Sequence, residues 1–192
     1  MKTLEEKIIK EGKILDGNVL KVGSFLNQRL DVEFLMSMGD EVVRLFAGEK
    51  IDKVLTIEAS GIPFAVCVAH KLGVPAVYAK KGGAHNVSGD VYSAEIYSYT
   101  HQKSNIVVVG KDYLSKGERI LIADDFLANG AALKGLIKIV EDAEAEVAGC
   151  AIAIEKGFQR GGDGLREAGY KVESLAIIDE MSPLGIKFRE TA

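Results

Sequence analysis

Two carboxylates stand side by side at Asp124 and Asp125, and the residues after them, Phe126-Leu127-Ala128-Asn129-Gly130-Ala131-Ala132, pass from apolar to small. An apolar run, Ile120 to Ala123, precedes the acids, and a helical pattern begins at Ala131. The acids therefore stand at the end of a strand, and the small residues open a helix. Small residues at a helix start let backbone N–H groups close on an anion, which the helix dipole also favours. A phosphate fits such a turn. Paired acids just upstream can accept hydrogen bonds from sugar hydroxyls, or hold a hydrated Mg²⁺ directly or through water, because that hard cation takes oxygen ligands and keeps waters. An isolated Asp-Asp pair is more often what a solvated turn carries, so the residue types by themselves leave both readings open.

Other segments carry weaker signals. Glu58-Ala59-Ser60-Gly61 follows the apolar run Val54 to Ile57 and is either a second anion-binding turn or a plain helix cap. A serine nucleophile is disfavoured there, since position 58 is Glu where a GxSxG elbow needs Gly. Lys80 and Lys81 end the run Ala76 to Ala79 and either neutralise a bound polyanion or form a solvated pair. Residues 81 to 93, with Gly82, Gly83 and Gly89, are polar and loose, as a lid or an ordinary loop is. His70, His85 and His101 lack zinc-site spacing. Gly161, Gly162 and Gly164 lack the ending of a nucleotide P-loop and read as a turn.

The elements that position these groups follow from hydrophobic periodicity. Val54 to Ile57, Ala76 to Ala79, Ile106 to Val109, Ile120 to Ala123 and Ala151 to Ile154 are short, apolar and rich in β-branched residues, as strands buried on both faces are. Helical patterns at Ile62 to Leu72 and Ala131 to Ala143 alternate with them, and two more helices begin near Leu4 and at Val32. The expected fold is α/β, a mainly parallel twisted sheet flanked by helices, with ligands beyond the carboxyl ends of the strands. Residues 13 to 30 fit no βα unit and are read as a small hood over that edge.

The chain has 192 residues and 20.6 kDa, with 47% apolar and 27% charged residues. That length suits one domain, residues 1–192, with an ordinary core. Acids exceed bases by 28 to 24, giving a net charge of −4, which argues against a nucleic-acid-coating surface. The first residues show no secretory signal, and no apolar run approaches the roughly 18 to 20 residues that cross a bilayer. Cys67 and Cys150 each lie in an apolar segment and are expected as buried, reduced thiols in a cytoplasmic protein.

Four apolar residues, two acids, two more apolar residues and then Ala128-Asn129-Gly130-Ala131 resemble the ribose-5-phosphate signature of the type I phosphoribosyltransferases. The resemblance extends along nearly the whole chain, through KILDGNVLKVGSFLNQRLD, TIEASGI, ADDFLANGAA and AIAIEKGFQ, and is strongest to the bacterial purine enzymes that act on xanthine. It implies purine salvage: transfer of the 5-phosphoribosyl group from 5-phosphoribosyl pyrophosphate (PRPP) to xanthine, releasing pyrophosphate and xanthosine 5'-monophosphate. It assigns Leu20, Asn27 and Lys156 to the purine, and Ala128, Asn129, Gly130, Ala131 and Ala132 to the 5-phosphate of PRPP. Ser60, Gly61, Lys80 and Lys81 fall to pyrophosphate. Asp124 and Asp125 fall to the ribose and to the Mg²⁺ that travels with PRPP. A homodimer is implied as well.

Two departures stand out. Many relatives carry Thr where Asn129 or Ala132 stands, so backbone amides must do more here. Some hypoxanthine-guanine enzymes place an Asp at the position of Ala128 as a base, and this chain has none. Xanthine sheds a proton more readily than hypoxanthine, so an anionic substrate would need little base. Phe126 and Phe158 are left between stacking on the base and packing in the core. Competing functions are a guanine or adenine enzyme of the same family, or a regulator that only senses PRPP. Such regulators add a winged-helix domain or a basic face, and the negative charge gives no sign of either.

Overall fold

The computed structural model describes residues 1–82, 89–98 and 103–190. Helix α1 (Lys2–Glu11) leads into a hairpin of β1 (Lys13–Leu15) and β2 (Val19–Lys21) and a π-helical turn, Gly23–Asn27. The hairpin and this turn occupy the segment 13 to 30 expected as a hood. Its hairpin turns at Asp16-Gly17-Asn18, where Gly17 and Asn18 both take positive φ, a conformation that Gly and Asn tolerate best. Helix α2 (Val32–Leu45) follows, its first turn capped by the Asp31 carboxylate, which accepts from Phe34 N at 3.2 Å.

The main sheet has eight strands in the order β10-β9-β8-β7-β3-β4-β6-β5. Its centre is parallel: β3 (Lys53–Ile57), β4 (Ala76–Lys81), β7 (Arg119–Leu127), β8 (Glu146–Lys156) and β9 (Val172–Ser182). Helix α3 (Ile62–Leu72) joins β3 to β4 and ends at Gly73 in the left-handed conformation, and α4 (Ala131–Asp142) joins β7 to β8. Core residues lie on both faces. Leu121 and Ala123 join the layer of α1, the hood, α2 and α3, whereas Ile120 and Ile122 join the layer of α4. This alternation is the period-2 consequence of a strand covered on both sides.

Both sheet edges depart from the parallel expectation. The run Ile106 to Val109 lies in β6 (Lys103–Gly110), which pairs antiparallel with β5 (Val91–Ser98) and with the end of β4. Val107 and Val109 are buried against α4's layer and Val108 is buried on the opposite face, while Ile106 is half exposed, so this strand is covered on both faces only from Val107 onward. At the other edge β10 (Gly185–Phe188) folds back antiparallel on β9. The expected lid over 81 to 93 has its ends in β4 and β5, and residues 83–88 lie outside the described residues. Gly161 and Gly162 are not a turn but the first turn of helix α5 (Gly161–Glu167). Cys67 and Cys150 are free and buried, and burial pushes the Cys150 thiol up to about 12. No described helix is long and apolar enough to cross a membrane.

Candidate active site

The carboxyl ends of β3, β4, β7 and β8 bring together the segments 58–61, 80–81, 124–132 and 155–161, the sheet edge where α/β proteins bind ligands. Asp124 and Asp125 lie inside β7 rather than beyond it, because the ladder with β8 continues past them: Asp124 is opposite Ile152 and Phe126 opposite Ile154. Both carboxylates are buried, at 5% and 4% exposure, and both line a cleft of about 270 Å³. Ser60, Lys81 and Ala132 line the same cleft, together with Glu58 and Asn105.

The two acids have different surroundings. Asp125 accepts from Ser60 Oγ and from Asn27 Nδ2, each at 3.0 Å, so the strand end, the β3–α3 turn and the hood converge on one carboxylate. Asp124 Oδ1 accepts the Asp125 amide at 2.9 Å and lies against Gly61, where a Cβ would collide with it and with Thr56 Oγ1. Gly61 is thus required by close approach. Thr56 Oγ1 is buried with no hydrogen-bond partner among the described residues. Burial first, and the charge of Asp125 second, hold the Asp124 carboxyl well above the usual carboxylate range, with Lys81 offsetting a small part.

The turn expected to hold a phosphate joins β7 to α4. Gly130 caps α4 with φ of +84°, which a side chain strains, and Asn129 Oδ1 accepts the Ala131 amide at 3.0 Å. That internal acceptor occupies one of the donors expected to face an anion. A second cavity of about 340 Å³ lies under the hood, lined by Leu20, Val22, Gly23, Asn27, Gln28 and Ser60. Lys156 is not among the residues that line it. Its Nζ donates to the Asn18 carbonyl of the hood at 2.9 Å and lies 5.8 Å from the Phe126 ring centroid, and burial lowers its pKa. Phe126 and Phe158 are half-buried against the hood-side core.

Of the expected residues, Ser60, Lys81, Asp124, Asp125 and Ala132 line the cleft and Leu20, Asn27 and Ser60 line the hood cavity, while Gly61, Lys80, Lys156 and Ala128 to Ala131 line neither. Lys81 lines the cleft and its amide donates to Glu58 Oε1 at 2.6 Å, while Lys80, paired opposite Val108, lies on the alternate face of β4 and does not line the cleft. Adjacent lysines on a strand cannot share a face, and this phase was available from the sequence. Glu58 and Gln28 were not anticipated as lining residues. An acid after a buried strand is the signal that could have found Glu58.

A family model of the phosphoribosyl transferase domain matches residues 30–180. The chain belongs to this family. It is 54% identical over 184 residues to a xanthine phosphoribosyltransferase of Bifidobacterium adolescentis, covering 95% of each chain. To the xanthine phosphoribosyltransferase of Brevibacillus brevis it is 51% identical over 190 residues, covering 99% of this chain and 97% of the other. Among solved structures it is similar to an adenine phosphoribosyltransferase from Thermoanaerobacter pseudethanolicus, with TM-score 0.68, 27% identity and coverage of 77% and 81%. The Saccharomyces cerevisiae adenine enzyme shares the fold with TM-score 0.74 at 21% identity, covering 91% of this chain and 99% of the other.

Proposed function

We propose that this phosphoribosyltransferase transfers the 5-phosphoribosyl group of PRPP to xanthine, yielding xanthosine 5'-monophosphate and pyrophosphate in purine salvage. The observation that carries the reading is Ser60, which lines both the acidic cleft and the hood cavity, so that two ligands can meet at one point. In this reading the purine lies under the hood against Leu20, Asn27 and Lys156. The 5-phosphate lies at Ala128 to Ala132, the ribose at Asp124 and Asp125, and the pyrophosphate at Ser60, Gly61 and Lys81. Lys80 belongs to the pyrophosphate group only if its side chain reaches round the strand edge.

The bond from the anomeric carbon to pyrophosphate breaks and a bond to a ring nitrogen of the base forms, with the nitrogen's proton leaving the base. Positive character grows on the ribose, and the two buried carboxylates stand where it develops. Xanthine's readier loss of a proton suits a site with no acid at Ala128. Lys156 carries donors only, so it pairs with a 6-oxo group and opposes a 6-amino group.

Magnesium fits this donor set. Asp124, Asp125 and the Ser60 hydroxyl offer oxygen atoms, and burying two adjacent carboxylates is relieved by a cation. Among the described residues no group of three or more His, Cys, Asp or Glu is placed to hold a metal ion. When bound, Mg²⁺ would neutralise charge on the departing pyrophosphate.

The reading extends to residues 1–192 as one domain and to a cytoplasmic homodimer, in keeping with two buried free thiols. Its first test is release of pyrophosphate from PRPP with Mg²⁺, with and without xanthine, beside a DNA and RNA gel shift. Xanthine-dependent release without a shift is expected. A nucleic-acid shift with no release would replace the enzyme by a PRPP-sensing regulator.

A further inference from the structure

Behind the phosphate turn lies an ion pair to which the reaction as described gives no role. Glu155 is fully buried near the end of β8, opposite Leu127, the last strand residue before the turn. Arg166 of α5 grips both its oxygens, Nη1 to Oε1 at 3.0 Å and Nη2 to Oε2 at 2.7 Å, and Ser174 Oγ donates to Oε2 at 2.5 Å. The same guanidinium reaches Val172 O through Nε at 3.1 Å. Burying a carboxylate is costly unless it is paired in this fork-to-fork way, so the pair fixes α5 against β8 in one position.

The two glycines that open α5 show what that position serves. A Cβ on Gly162 would collide with Glu155 Oε1, so the helix can approach the carboxylate only without a side chain there. One residue earlier, and about 100° round the helix, Gly161 faces the phosphate turn itself. A Cβ there would collide with the Ala128 carbonyl oxygen and lie 2.5 Å from Gly130 N and 2.6 Å from Asn129 C. Conversely, a Cβ on Gly130 would stand 3.4 Å from Gly161 O. Two backbones touch, with no side chain between them.

We infer that α5 is a rigid brace for the phosphate turn: Gly161 is the surface on which Ala128, Asn129 and Gly130 rest, and Glu155 with Arg166 are positioning residues that hold it there. The inference rests on the reading of that turn as the 5-phosphate site. Amides that bind an anion must be aimed within about half an ångström, and the turn's own residues, small and with one amide already given to Asn129, cannot fix it alone. Gly164 is the internal control, lying in the same helix with nothing within 4 Å of a Cβ.

The test is calorimetric binding of PRPP, ribose 5-phosphate and inorganic pyrophosphate, with Mg²⁺, to wild type, Gly161→Ala, Gly164→Ala and Arg166→Lys, with folding checked by circular dichroism. Gly161→Ala should weaken PRPP and ribose 5-phosphate at least tenfold and leave pyrophosphate and the KM for xanthine within about twofold. Arg166→Lys, which keeps the charge and loses the fork, should do the same in lesser degree, about fivefold, and covers the case in which Gly161→Ala does not fold. Gly164→Ala should change nothing. Equal PRPP affinity in wild type and a folded Gly161→Ala or Arg166→Lys overturns the brace, as does an equal loss for pyrophosphate and xanthine. A wild type that binds neither PRPP nor ribose 5-phosphate removes the phosphate reading, and the brace with it.

Discussion

Asn27 of the hood donates its Nδ2 hydrogen to Oδ2 of Asp125 on β7, at 3.0 Å. The side chain assigned to the purine is thus tied, without substrates, to the carboxylate assigned to the ribose. The two groups are thus coupled by a direct hydrogen bond.

For Asn27→Ala we predict a loss of roughly 5- to 150-fold in kcat/KM for xanthine, the range for about 1 to 3 kcal/mol of lost polar pairing. Affinity for PRPP alone should not fall, because Asp125 gains a free oxygen. Titration of the variant with PRPP checks this. A tenfold loss there with xanthine kinetics unchanged would move Asn27 from the purine to the ribose.

Asp124 gives a stability prediction with a defined sign. Its folded pKa lies above the ordinary value of 3.8, mainly through burial. The carboxyl's contribution to stability is therefore fully present below that value and is lost as pH rises through the folded pKa. Asp124→Asn keeps an oxygen for the Asp125 amide and removes the charge. Without ligands it should melt higher than wild type at neutral pH, by about 2 to 4 °C for each kcal/mol relieved, and the difference should shrink toward pH 4. The same substitution should lower kcat more than it weakens PRPP binding. A variant that melts below wild type at every pH would contradict the assignment.

Much of this was legible because local rules and tertiary structure agree. The helix Ile62–Leu72 was bounded from its periodicity alone, and Gly73 then takes the left-handed conformation that ends it. The passage from strand to helix between Asp124 and Ala132 was visible in residue types that go from apolar to small. What escaped depends on pairing partners far away in sequence. Nothing near Ile106 says that its strand runs antiparallel to β4, and nothing near Asp125 says that β8 will carry the ladder to Leu127. Gly161 lacked a recognisable signature because its need for glycine is set by the backbone of Ala128, more than thirty residues earlier.

Substitution at Gly130 separates anion binding from backbone strain. The positive φ and the nearby Gly161 carbonyl mean that Gly130→Val strains the fold as well as the site, so Gly130→Ala, the smaller change, is the variant to use. Gly130→Ala should cost about 1 kcal/mol of stability and raise the KM for PRPP severalfold, with the KM for xanthine little changed. Denaturant melts and steady-state kinetics measure the two effects separately. Unchanged PRPP affinity in the folded variant would show that the turn is misassigned.

The central claim, a 5-phosphoribosyl transfer selective for a 6-oxo purine, is tested most directly by kcat/KM for xanthine, guanine, hypoxanthine and adenine with PRPP and Mg²⁺, in wild type and in Lys156→Ala. The Lys156 ammonium, already held on the Asn18 carbonyl, presents donors only. Xanthine should lead, guanine should follow as a poorer substrate because the Asn27 amide can turn over, and hypoxanthine should not exceed guanine. Adenine should be rejected, and Lys156→Ala should narrow the gap between xanthine and adenine. Equal use of adenine and xanthine by wild type would contradict the account.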